Sequence, residues 1–169
     1  MARIVDLNVT GYWWVPGATG LTTPDGPKIT ELSAGTVKAL SPYVVTTTDI
    51  NPTDSDTVSE KGITDTTNAV VLTIGNFDGT LVLFRDYTSG APTANDPLTI
   101  FTGAREVGWI VRRLGKPAST PLAVGDKVDV FLVMADNPKQ TGGQNDGYLK
   151  LTVPLKQQGQ MAIGVTCVA

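Results

Sequence analysis

Histidine is absent from this 169-residue sequence, and cysteine occurs once, at Cys167. The first absence removes the usual general base, the commonest metal ligand and every Ser-His or Cys-His nucleophile pair. The second leaves no internal disulfide to form, and a chain of this length can bury roughly 70% of its unfolded surface without one. Long apolar runs are missing too. Nothing approaches the ~20 residues of a membrane-spanning helix, and Asp6 interrupts MARIVDLNV where a signal peptide needs an unbroken apolar core. Neither membrane insertion nor a targeting leader is expected. Positive charge is also in short supply: the net charge is -3, a surface that repels nucleic acid. The basic cluster Arg105, Arg112, Arg113 and Lys116, interleaved with Trp109, reads as a solvated strand face or as subunit salt bridges ahead of a nucleic-acid patch.

Strand signals fill the chain instead. Val5, Leu7 and Val9 alternate with Asp6, Asn8 and Thr10 in a strand from Arg3 to Val15 that ends in Tyr12-Trp13-Trp14. Adjacent strand residues point oppositely, which places one tryptophan in the core and leaves the other to face a partner or a sugar. Ala69 to Asp86 reads as a hairpin turning at Asn76 and Asp78-Gly79; its arms are apolar at successive positions, so both faces are expected to be covered. Further strands are predicted at Glu106–Arg113, Lys127–Met134, Gly147–Leu155 and Met161–Ala169. Helix is confined to DPLTIFTG, with Asp96 as N-cap, Pro97 at the first turn and Gly103 past the end, and to a turn at 29–32. The expected fold is one mainly-β domain over residues 1–169, a small β-sandwich or barrel with one short α-helix packed on it.

The segment Thr46 to Asn68 is polar and rich in acids, including Asp49, Asp54, Asp56, Glu60 and Asp65, and it reads as a long loop. Asp49, Asn51, Thr53 and Glu60 have the ligand spacing of a calcium loop, but Pro52 and Asp54 stand where that loop needs other residues and no helix flanks it. Gly115-Lys116 lacks the rest of a phosphate loop, and the pairs Asp54/Asp56 and Asp126/Asp129 come without a catalytic constellation. Cys167, on an apolar face, is a small core residue. No catalytic residue, metal or cofactor is expected. Apolar strand faces, an exposed tryptophan and a long polar loop describe instead a surface finished by other copies of the same chain. A carbohydrate- or host-binding β-sandwich using Tyr12, Trp13 and Trp14 is the alternative.

ITELSAGT (Ile29 to Thr36), DSDTVSEKGITD (Asp54 to Asp65), LFRD (Leu83 to Asp86), DPLTIFTG, GWIVRR (Gly108 to Arg113) and VGDKVDVFLV (Val124 to Val133), followed by two closing strands, resemble in order the major tail tube proteins of long-tailed, siphovirus-type bacteriophages, particularly those of actinobacteria. The resemblance spans Val5 to Ala169 and omits YWWVPG. It implies a non-enzymatic virion protein that forms hexameric rings stacked into a hollow tube, assembled in the host cytoplasm. Its implied partners are a tape-measure protein, a tail terminator and tail-tip proteins, with DNA passing through unbound. A tail terminator or capsid decoration protein of similar fold is the further alternative. Carried onto this sequence, the hairpin with Val70, Leu72, Ile74, Leu81, Leu83 and Arg85 would line the lumen or join subunits. Thr46 to Asn68 would reach the adjacent ring, and Arg105, Arg112 and Arg113 would supply subunit salt bridges.

Overall fold

Val107–Leu114 and Lys127–Ala135 are mostly apolar, and both of their faces are buried within the subunit. The computed structural model describes residues 8–60, 69–72, 75–88, 90–142 and 147–169. Among them the main sheet comprises β1 (Thr10–Pro16), β2 (Lys38–Ala39), β3 (Asp49–Thr53), β6 (Asn76–Phe84), β9 (Val107–Leu114), β10 (Lys127–Ala135), β11 (Lys139–Thr141) and β12 (Lys150–Thr166). Its order is β2-β1-β9-β10-β12-β6-β3, with β11 also paired to β12. Two small ribbons stand apart, β4 (Thr57–Glu60) with β5 (Ala69–Leu72) and β7 (Tyr87–Thr88) with β8 (Ala91–Pro92). Among the described residues helix is limited to the single turns α1 (Ile29–Leu32) and α2 (Pro97–Ile100).

The sheet curls until its two edges meet through residues 40–48. Leu40 N donates to Tyr12 O on β1, while Val45 N donates to Val82 O on β6 and Phe84 N to Tyr43 O. This is the mainly-β sandwich or barrel that the strand pattern predicts. Alternation then divides the interior in two. Tyr12, Trp14, Ile110, Phe131, Val133, Leu81, Leu83, Leu151 and Val153 point inside the curl, with Phe101 at its mouth. Trp13, Trp109, Val111, Val128 and Val130 point the other way, under the chain that carries Leu21 and α1. Each buried side chain of this size is worth about 1.5–3 kcal/mol of transfer free energy, and sequestering both faces of β1, β9 and β10 commits those strands to the subunit itself.

Three sequence expectations are corrected. Ala69 to Asp86 is no hairpin: β5 pairs with β4, and β6 pairs with β3 and β12. Asp78-Gly79 lies inside β6, where a Cβ at 79 would meet Ile50 Cγ1 at 3.0 Å, a contact that Ile50 would have to yield a few tenths of an ångström to admit. β6 alternates buried with partly exposed residues and is covered on one face only. Second, the segment 46–68 is not a loop throughout, because β3 and β4 lie in it and Ile50 is a fully buried core residue. Third, the two closing strands are one 17-residue strand, β12, which runs through the polar stretch 156–160. Two extra β12 residues are accommodated between Val133↔Gln157 and Phe131↔Met161, and Gly159 takes φ 154 there. Of the strand expected from Arg3, residues 3–7 lie outside the described ones, Asn8 forms a bend with φ 58, and the strand begins at Thr10.

Candidate functional site

Two of the three arginines assigned to subunit contacts, Arg112 and Arg113, find partners within the subunit. Arg112 on β9 meets Asp129 across the sheet at 2.9 Å, and its other nitrogen donates to Ile50 O at 2.6 Å and Asn51 Oδ1 at 3.2 Å. Arg113 is buried at 1% exposure, pairs with Asp126 at 3.0 Å, and donates to the carbonyls of Pro117, Thr120 and Pro121. It thereby folds the 115–126 loop onto Trp13, whose ring lies 5.2 Å from the guanidinium. Lys116 bonds the other oxygen of Asp126. Burial works to raise the Asp126 pKa, but these bonds and the Ala123 N–H prevail and hold it below the ordinary carboxylate value. Arg105 is exposed, with φ 58 and no ion pair among the described residues. The expectation of intersubunit ion pairs is therefore corrected for Arg112 and Arg113.

Arg85 is likewise taken. Its Nε donates to both oxygens of Asp96 at 2.9 and 3.0 Å, and the backbone N–H groups of Asp86 and Leu98 complete that carboxylate. Asp96 thus caps α2, as the DPLTIFTG pattern predicts, and also anchors the end of β6. The two tryptophans do face opposite sides, yet both are buried, Trp13 at 8% and Trp14 at 2%. Neither stands exposed on the surface of the single chain. Leu81 and Leu83, expected at a lumen, are fully buried inside the curl. Ile74 and Asp65 lie outside the described residues, and Glu60 is placed on β4 by its backbone. The calcium-like spacing falls on β3, whose extended backbone cannot wrap an ion as a loop does. Burial, then Asp126, pushes the Cys167 thiol up to about 11, which leaves it unreactive at neutral pH. A cleft of about 760 Å³ opens beside Trp13 between Pro42 and Pro117–Pro121, but no titratable side chain lines it.

Two surfaces remain unfinished. The first is the β4–β5 ribbon, on which Val58, Val70 and Leu72 are 47%, 59% and 71% exposed. Register places Thr57 opposite Leu72 and Ser59 opposite Val70, so apolar and hydroxyl side chains share one face. An isolated two-stranded ribbon is marginal in water, and this one has little of its own core to lean on. Its root is clamped. Gln157 Oε1 accepts from Phe77 N at 3.0 Å, while Nε2 donates to Gly75 O at 3.0 Å and Gly159 O at 3.1 Å. Asn76 adds bonds to Asp54 O and Asp56 Oδ1.

The second surface is the outer face of β3, β6, β12 and β11. Pairings Asn51↔Asp78, Asp49↔Thr80, Val82↔Thr152, Phe84↔Lys150 and Lys139↔Thr152 put these side chains on one side, away from Ile50, Leu81, Leu83 and Leu151. It is predominantly polar over an apolar core. What the sequence reading missed is the phase: the even-numbered residues of β6 face outward, a one-residue shift that depends on knowing that Gly79 opposes Ile50.

Known proteins bear on these surfaces. No curated protein sequence matches. Among solved structures, a chain of "Cryo-EM structure of the anti-feeding prophage (AFP) baseplate, 6-fold symmetrised" is 14% identical with TM-score 0.50, covering 96% of this chain and 96% of that chain. A chain of "Tail of empty GTA particle computed with helical refinement, C6 symmetry" is 11% identical with TM-score 0.48, covering 96% and 98%. At 14% identity the first similarity speaks for the fold alone. The family described as phage tail tube protein matches residues 1–169. A mainly-β sheet curled around its own core agrees with that match: the chain belongs to the phage tail tube protein family and is a structural component of the virion tail.

Proposed function

We propose that six copies close into a ring whose lumen is faced by the outer side of β3, β6 and β12, and that rings stack through the β4–β5 ribbon. Six is carried over from the symmetry printed for the anti-feeding prophage baseplate. The observation that carries the reading is the polar sheet face. On its acidic side Asp49, Asn51, Asp78, Thr80 and Thr152 offer passing DNA hydroxyl and amide groups and negative charge, which give no electrostatic grip on phosphate, while the cations of the same face, Lys139 and Lys150, lie toward its other end. The residues replacing Leu81 and Leu83 at the lumen are thus Thr80 and Val82.

The ribbon supports the stacking role because Val58, Val70 and Leu72 gain burial only against another chain. Arg105, exposed, is available as an intersubunit cation. A tape-measure protein inside, a terminator at the end and tail-tip proteins below complete the proposed set of partners, with assembly in the host cytoplasm. The test is electron microscopy of concentrated purified protein. Rings or tubes are expected; a species that stays monomeric at every concentration, and also with virion partners added, overturns the reading.

A further inference from the structure

We propose that neighbouring copies in the ring recognise each other through opposite charges at two rims of the same sheet face, an inference that rests on the ring reading above. One rim is acidic. Asp49 on β3 and Asp78 on β6 are exposed, and neither is in an ion pair among the described residues. The other rim is basic: Lys139 on β11 and Lys150 on β12 form no ion pair either, and Lys150 lies 5.8 Å from the Phe84 ring. Register puts all four side chains on one side of the sheet.

The two rims cannot neutralise each other within a subunit. From Asp78 to Phe84 the chain runs six residues along β6, and β3 is three strands from β11. At ~3.4 Å per residue and ~4.8 Å per strand, the acid-to-lysine separations run from about 16 Å (Asp49 to Lys139) to about 21 Å (Asp78 to Lys150). Even the shortest of these is roughly two Debye lengths at physiological salt, about 8 Å each. Charges so placed act outward. A ring built head to tail sets one rim of each copy against the other rim of the next, which requires two different, complementary surfaces. Acid against lysine meets that requirement and penalises acid against acid, so the face also selects orientation.

Charge reversal reads this directly. Asp49→Lys with Asp78→Lys makes both rims basic, and Lys139→Glu with Lys150→Glu makes both acidic. Each double variant alone is expected to keep the wild-type circular dichroism spectrum and lose rings in negative stain. An equimolar mixture is expected to recover them, since alternating copies restore complementarity in an even-numbered ring. As a readout independent of variant folding, Asp49→Cys with Lys139→Cys in a Cys167→Ser background is expected to give an oxidised ladder reaching six subunits. Wild-type rings unaffected by either reversal, with no ladder, overturn the rim assignment and leave the ring intact. Absence of wild-type rings, with virion partners added, overturns the ring reading instead.

Discussion

Arg112 donates to the carbonyl of Ile50 at 2.6 Å, a bond between two residues 62 positions apart. It ties β9 to the edge of β3, while the same guanidinium pairs with Asp129 on β10 and stacks over Phe131 at 5.5 Å. Asp129 in turn accepts from Gly164 N on β12 at 2.8 Å. Four strands therefore meet at one mostly buried charge pair. Arg112→Ala is expected to cost about 3–5 kcal/mol, because Asp129 is left without its cation. Arg112→Lys should recover only part of that, since a point charge cannot serve the carboxylate and the carbonyl together. Urea denaturation of the two variants measures it, and a loss below about 1 kcal/mol for the alanine contradicts the role.

Acid should loosen the fold at two places. Burial works to raise the Asp96 pKa, but bonds from Arg85 and from the Asp86 and Leu98 N–H groups prevail and bring it below the ordinary 3.8; Asp126 is lowered in the same way. Groups with a folded pKa below the unfolded one stabilise fully above the unfolded value, and that stabilisation is lost as pH falls through the folded value. Thermal stability is therefore expected to fall below about pH 4, and Asp96→Asn should flatten the slope. An unchanged slope contradicts the Asp96 contribution.

The ribbon can be removed without the core. A Gly/Ser linker in place of residues 57–72 should leave thermal stability close to wild type and stop tube growth at the ring. Replacing the whole of 46–68, which the sequence alone invites, should instead unfold the chain, because it deletes Ile50. Tubes of wild-type length from the 57–72 variant would sink the stacking role.

Gln157 sets the ribbon's aim. Gln157→Glu keeps the acceptor for Phe77 N and loses the donor to Gly75 and Gly159, so it separates the two halves of the clamp. Hydrogen exchange at residues 69–72 is expected to speed up several-fold in both Gln157→Glu and Gln157→Ala, with exchange in β9 and β10 unchanged. Equal exchange at 69–72 in all three proteins contradicts the clamp.

Strand alternation and cap chemistry made much of this architecture legible beforehand. Val107–Leu114, Lys127–Ala135, α1 and the Asp96 cap fall within a residue or two of their expected places, because β-branched runs and an Asp-Pro start are local signals. The misread features depend on distant partners. Asp78-Gly79 has turn chemistry, yet Ile50 packs where a side chain at 79 would stand. Lys156 to Gln160 looks like a break, yet it is a bulge held by Gln157 against β6. The arginines look like surface charge, yet Asp126, Asp129 and Asp96 stand across strand or loop from them. The polar sheet face proposed for the lumen is legible only once the register is known, since a one-residue shift exchanges Leu81 for Thr80.

A reconstruction of assembled tubes by cryo-electron microscopy tests most directly which face looks inward. Asp78, Thr80 and Thr152 are expected on the wall of a hollow channel, six subunits to the ring, with residues 57–72 touching the next ring. A tube with those three residues on its outer surface contradicts the account.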